Sequence, residues 1–170
     1  LEVFVQHRVH TMDFVPGAVV FPGGRGDPVD ARTAYSSGIE IARACAVREV
    51  REEAGAVIDP AELIPWDRWV TPIAYSRRFD VEFFLLPVAD GSEFTHQTGE
   101  AVDSEWLPVA GLVTAVEEGR LVMVPPTRTI TDELSALGTL EALVSLRPEV
   151  VAIHHDFTAP RPRTAGGSAG

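Results

Sequence analysis

The eight residues Arg48-Glu49-Val50-Arg51-Glu52-Glu53-Ala54-Gly55 constrain this chain more than any other stretch. From Ile39 to Ala54 the sequence is rich in Ala, Arg, Glu and Val and contains neither Pro nor Gly. Within it the apolar positions Val47, Val50 and Ala54 recur at three- and four-residue steps. This predicts a helix stopped by Gly55. At 3.6 residues per turn, Glu49, Glu52 and Glu53 stand at i, i+3 and i+4 and share an arc of about 100°. Carboxylates so placed repel one another and raise at least one pKa, unless a divalent ion turns the crowding into a binding site. Their number and hardness suit Mg²⁺, with Mn²⁺ as the second choice. Arg48 borders the arc, positioned to pair with one carboxylate and fix its rotamer. The plainer reading is a solvated acidic helix face. Two features weigh against it: the double glycine of Phe21-Pro22-Gly23-Gly24, whose backbone can approach a ligand closely, and the sharp stop at Gly55.

The flanking sequence predicts an alternation of strands and helices. Leu1 to Arg8 and Ala18 to Phe21 carry β-branched and aromatic residues bounded by turn-formers and read as short strands. Arg25 to Gly38, rich in Gly, Asp, Ser and Pro with no clean period, reads as a surface loop. Trp69 to Tyr75 and Asp80 to Val88 are strand candidates around the charged turn Ser76-Arg77-Arg78. A polar loop over Ala89 to Gly99 precedes a strand over Ala101 to Leu107. Helices are expected at about Val109 to Glu118 and Thr127 to Leu146, the latter with a break at Gly138. Residues 1–157 are taken as one domain. Thr158 to Gly170, mostly Pro, Arg, Gly, Ser, Thr and Ala, is taken as a flexible tail.

Charge narrows the partners. Fourteen basic residues against 25 acidic ones give a formal net charge of -11, which repels a phosphate backbone and argues against general nucleic-acid binding. An anionic substrate therefore needs a metal ion or local arginines. No apolar run approaches the roughly 18 residues of a membrane-spanning helix, so no membrane partner is expected. Cys45, the single cysteine, has no intrachain disulfide partner and no zinc-type spacing, which points to a reducing, cytoplasmic setting.

The acidic segment resembles the Nudix box, written G-x5-E-x7-R-E-U-x-E-E-x-G-U with U aliphatic. Glu40, seven intervening residues and then Arg48 to Ala56 match it in register. One departure is clear. Residues 25–39 put 15 positions between Gly24 and Glu40 where the pattern has five, a ten-residue insertion. The resemblance implies an α/β chain folded as a Nudix α/β/α sandwich with a central mixed sheet, the catalytic helix on one face and the C-terminal helix on the other. It implies that Glu49, Glu52 and Glu53 ligate divalent ions or their water, that Arg48 orients a glutamate, and that Gly23 offers its carbonyl to a metal. Glu40 and Gly24 would support the cluster. Glu49 is the usual general base, but some members use a later loop glutamate, and Glu100, six residues before Trp106, falls where that acid commonly lies. Glu93, Asp103 and Glu105 are weaker candidates. The implied partner is a small nucleoside diphosphate compound; many members are homodimers.

Outside the box, Phe14 to Gly24, the inserted loop, Trp66 to Pro72 and Arg77-Arg78-Phe79-Asp80 look like the peroxisomal coenzyme A diphosphatase subgroup and its bacterial relatives. The resemblance covers roughly Val3 to Leu137. It implies coenzyme A or an acyl derivative as substrate, with ADP-ribose or NADH as the rival. Gly17 and Phe21 match the stretch found in coenzyme A hydrolases, but Asp13 stands where an arginine is expected. Arg77 and Arg78 are candidates for reading phosphate oxygens, as guanidinium groups do in bidentate fashion. They could equally be idle turn residues. Trp66 and Trp69 are read as core, and His154-His155 as a surface pair.

Overall fold

The computed structural model describes residues 1–9, 16–38, 40–71, 73, 78–89, 91–146 and 148–153. Strand β1 (Glu2–Arg8) runs antiparallel to β2 (Val19–Val20) on one side and to β5 (Ala101–Pro108) on the other. A second sheet has β3 (Ile64–Val70) at its centre, antiparallel to β4 (Asp80–Leu85) and parallel to β6 (Ala152–Ile153). The architecture is thus α/β as expected, and among the described residues the strands divide into two three-stranded sheets, the second of them mixed.

Strand alternation decides what each face meets. Val3 and Val5 of β1 join Val19 and Leu112 in one apolar cluster, which Leu121 and Met123 extend. A second cluster gathers Trp66, Val109, Ile130, Leu134 and Leu143, with Phe83 and Leu85 of β4 against it. Val3 and Phe21 touch both, which makes the core continuous. Val109 and Leu112 come from α3 (Val109–Glu117), Ile130 and Leu134 from α4 (Pro125–Leu137) and Leu143 from α5 (Leu140–Leu146), so the C-terminal helices cover this face. The other face belongs to α2 (Ile41–Ala54). Gln6 of β1 reaches Glu53, and the ring of Phe84, next to Phe83 but on the opposite side of β4, lies 5.1 Å beneath the Arg43 guanidinium. Phe4, on the same side of β1 as Gln6, packs its ring tilted against those of Phe94 and Trp106, with centroids 5.5 Å apart.

Helix α2 is fixed at both ends. Arg43 donates to the carbonyls of Pro60 and Leu63, at 2.7 and 2.6 Å. At the C-terminus, Gly55 adopts φ 70°, a left-handed cap that costs a glycine little. The last turn's carbonyls then accept from the following loop: Thr95 N–H on Ala54 at 2.9 Å and Gln97 N–H on Glu53 at 3.0 Å. The catalytic-helix candidate is therefore stapled to the segment that leads into β5.

The largest difference from the sequence reading is the stretch from Arg25 to Gly38. It is not a surface loop: α1 occupies Pro28–Ser37. Asp27 and Asp30 form a reciprocal capping box, Pro28 opens the first turn, and Gly38 closes the helix at φ 68°. Only Asp30 and Ala34 of this helix are buried. A helix that buries two positions has no apolar stripe, so periodicity missed it. Strand β3 begins at Ile64 rather than Trp69 and ends at Val70; a register shift between Pro65 and Asp67 breaks the alternation that would have announced it. The expected helix over Thr127 to Leu146 is two helices, divided at Gly138, where the break was expected. Trp66 and Trp69 are core residues, as read. The expected tail from Thr158 and the pair His154-His155 lie outside the described residues.

Candidate active site

The Gly23-Gly24 turn lies against the buried side of α2. The Gly23 N–H donates to Glu53 Oε2 at 2.8 Å, and Gln6 Nε2 adds a longer bond of 3.3 Å to the same oxygen. Glu53 is nonetheless buried. Burial pushes its pKa up to about 7, the two hydrogen bonds oppose the rise, and the charges of Glu49 and Glu100 add to it. At Gly24 the approach is closer still: a side-chain carbon built there would fall on the Glu49 carboxylate. The double glycine is thus needed by steric contact, at least in its second member.

Glu49 is also buried, and burial raises its pKa against the lowering effect of Arg48. Arg48 is the hub of the cluster. Its guanidinium lies 2.9 Å from Glu49 and 2.9 Å from Glu52, the latter a more exposed carboxylate one turn further along α2. It also donates Nε and Nη2 to the two oxygens of Asp30, at 2.9 and 3.0 Å, and Nη2 to the Arg25 carbonyl at 3.0 Å. Asp30 is 1% exposed, and the hydrogen bonds from Arg48 hold its pKa below the usual carboxylate range. Cys45 is drawn into the same contacts, its thiol 3.6 Å from Arg48 Nη2; burial and the Asp30 charge push it up to about 11, so it is a thiol rather than a thiolate at neutral pH.

Six of the expected residues therefore converge: Gly23, Gly24, Arg48, Glu49, Glu52 and Glu53. Glu100 acts on Glu53 through its charge from the loop before β5. Glu40 does not join them; it is the exposed N-cap of α2 and contributes its carbonyl to Ala44. Glu93, Asp103 and Glu105 also stay apart. Glu105 pairs with His7, Asp103 accepts from the Ser104 N–H, and Glu93 ends a 3-10 turn. Arg78 is exposed and donates to the Thr71 carbonyl of its own hairpin, while Arg77 lies outside the described residues. Two residues went unnoticed in the sequence. Asp30 had a signal, the Asp-Pro-x-Asp pattern of a capping box; Gln6 had none beyond its place in an alternating strand.

The donors suit a hard divalent cation: the carboxylates of Glu49 and Glu53, which are buried, and of Glu52, which is exposed, offer hard oxygens that repel one another. Among the described residues no three acidic, histidine or cysteine side chains are set in a metal-holding arrangement. The counter-ion between Glu49 and Glu52 is instead Arg48. Among the same residues no helix is long and apolar enough to cross a membrane.

Comparisons with known proteins agree with this geometry. The Nudix domain profile matches residues 2–128. A Caenorhabditis elegans protein named "Putative nudix hydrolase 7" is 28% identical over 159 aligned residues, covering 73% of this chain and 52% of the relative, so the chain spans about half the length of that protein. The crystal structure of a Nudix hydrolase from Alicyclobacillus acidocaldarius superposes with a TM-score of 0.73 at 27% identity, over 85% of this chain and 87% of that one. With the box in register on α2, the double-glycine turn against it and the sandwich around both, the chain belongs to the Nudix family of hydrolases.

Proposed function

We propose that this chain hydrolyses the phosphoanhydride bond of a nucleoside diphosphate joined to another group, with Mg²⁺, or Mn²⁺ in its place, held by Glu49, Glu52 and Glu53. The observation that carries the reading is the crowding of buried carboxylates at the Gly23-Gly24 turn, with the Glu53 pKa raised to about 7. Such a group stores repulsion that a divalent cation relieves. When bound, the metal supplies charge neutralisation of the pyrophosphate and lowers the pKa of water. The chain's own residues do the rest. Arg48 keeps Glu49 and Glu52 in fixed rotamers, the Gly23 N–H orients Glu53, and the absence of a side chain at Gly24 leaves room for the Glu49 carboxylate. The proton of the attacking water goes to Glu49 or to Glu100, both within the field of the same cluster.

Coenzyme A or an acyl derivative, split into 3',5'-ADP and a phosphopantetheine, is the substrate favoured by the resemblance of Phe14 to Gly24 and of the insertion to the coenzyme A diphosphatase subgroup. ADP-ribose or NADH is the rival. Incubation with a panel of these compounds and Mg²⁺ in heavy-oxygen water, with mass spectrometry of the products, identifies both the substrate and the phosphorus attacked. Glu52→Gln should lower kcat by about 10² to 10⁴, the usual weight of a metal or proton-transfer group. Failure to turn over any compound would favour a nucleotide-binding module without hydrolysis.

A further inference from the structure

Helix α1 is an insertion within the box, and its one charged buried residue, Asp30, points at the hub of the cluster. Asp30 takes Arg48 by two parallel bonds, from Nε at 2.9 Å and Nη2 at 3.0 Å. Oδ2 of the same carboxylate accepts the Asp27 N–H at 2.8 Å, so the carboxylate is itself fixed to the backbone. A guanidinium gripped along its Nε edge has one orientation only. In that orientation its remaining N–H groups fall on Glu49 and Glu52.

We propose that Asp30 is a positioning residue for the catalytic helix: it sets the direction of Arg48, and through Arg48 it holds the Glu49 and Glu52 carboxylates where a divalent cation would meet them. The inference rests on the functional reading above and extends it to the inserted helix. Arg48 is a shared cation among three carboxylates, of which Asp30 is the most deeply buried and the one bound bidentately. Without that partner the guanidinium loses its fixed direction, and Glu49 and Glu52 lose the fixed group against which they are set. Their oxygens are then no longer pre-set for a divalent cation.

Mn²⁺ titration of the whole chain without substrate, read by electron paramagnetic resonance, tests this with Asp30→Asn and Asp27→Ala. Asn keeps the size of Asp30 and an acceptor for the Asp27 N–H, so α1 can stay capped. Asp27→Ala also removes one negative charge and weakens the same helix end, but Asp27 makes no bond to Arg48. The expected result is a Mn²⁺ Kd raised about tenfold in Asp30→Asn and changed less than twofold in Asp27→Ala. In parallel, the Mg²⁺ concentration for half-maximal hydrolysis should rise by a similar factor in Asp30→Asn and stay within twofold in Asp27→Ala. If the two variants bind Mn²⁺ alike while the unaltered chain binds it tightly, Asp30 is only an anchor for α1 and the inference is overturned, with the functional reading intact. If the unaltered chain binds no Mn²⁺, both fall together.

Discussion

A methyl group added at Gly24 would land on the Glu49 carboxylate, and that carboxylate has little freedom to retreat because Arg48 holds it at 2.9 Å. The backbone at this position is under no left-handed strain, so the requirement for glycine is one of space. Gly23, by contrast, has open space where a side chain would go, but its φ of 155° lies in a region that side chains rarely adopt. The two glycines therefore serve different physical ends. Gly24→Ala should displace Glu49 and lower kcat at least about tenfold, in line with the sensitivity of catalytic groups to small misplacements. Its thermal midpoint should move only a few degrees, since what gives way is the end of a side chain. Steady-state kinetics beside a melting curve checks this. An unchanged kcat would mean that Glu49 does not need its present place.

At the scale of elements, what could be read in advance was whatever repeats or caps. Helix α2 was legible because Val47, Val50 and Ala54 step around it and Gly55 ends it; β5 and α3 were legible from composition and bounded turns. The glutamates of the site were legible for the same reason, because residues three and four apart on one helix must be neighbours. Helix α1 was not, since it buries only Asp30 and Ala34. Nor was its link to the site, because an ion pair across 18 positions of sequence, Asp30 to Arg48, leaves no local pattern. Glu40 marks a related limit: a motif position fixes spacing, whereas the path of the chain before α2 leaves that side chain exposed at the N-cap. The cap at the other end of α2 can be tested directly. Gly55 has φ 70°, and a Cβ there would meet the Gln97 side chain at 3.0 Å. Gly55→Ala should cost about 1 to 2 kcal/mol from the left-handed backbone alone. It should also loosen the 95–97 loop that bonds to Ala54 and Glu53, which hydrogen exchange at the Thr95 and Gln97 amides would reveal. Unaltered protection and stability would show that the cap contributes nothing.

For the whole molecule, the site and the fold pull against each other, and pH exposes the conflict. Glu53 has an ordinary pKa of 4.5 when unfolded and about 7 when buried in the folded chain. A group whose folded pKa is raised binds its proton more tightly in the native state, so the folded protein is favoured below the unfolded value. That advantage is lost as pH climbs from about 4.5 to about 7. The loss from Glu53 is at most about 3 kcal/mol, and Glu49, shifted in the same direction, adds to it. Asp30 is shifted the opposite way, but its effect belongs below the ordinary value of 3.8 and leaves this window clear. The net charge of -11 also destabilises the compact state as pH rises, for reasons unrelated to this site. Comparison with Glu53→Gln separates the two, because the variant retains the background repulsion and loses only the titration. In chelator, denaturant midpoints should fall from pH 5 to pH 7 more steeply for the unaltered chain than for Glu53→Gln. On the proposed function Mg²⁺ takes the deprotonated cluster, so it should stabilise the unaltered chain at pH 7.5 far more than at pH 5 and leave the variant little changed. Parallel midpoint curves for the two proteins, with and without Mg²⁺, would remove Glu53 from the metal site and place the pH dependence in the surface charge.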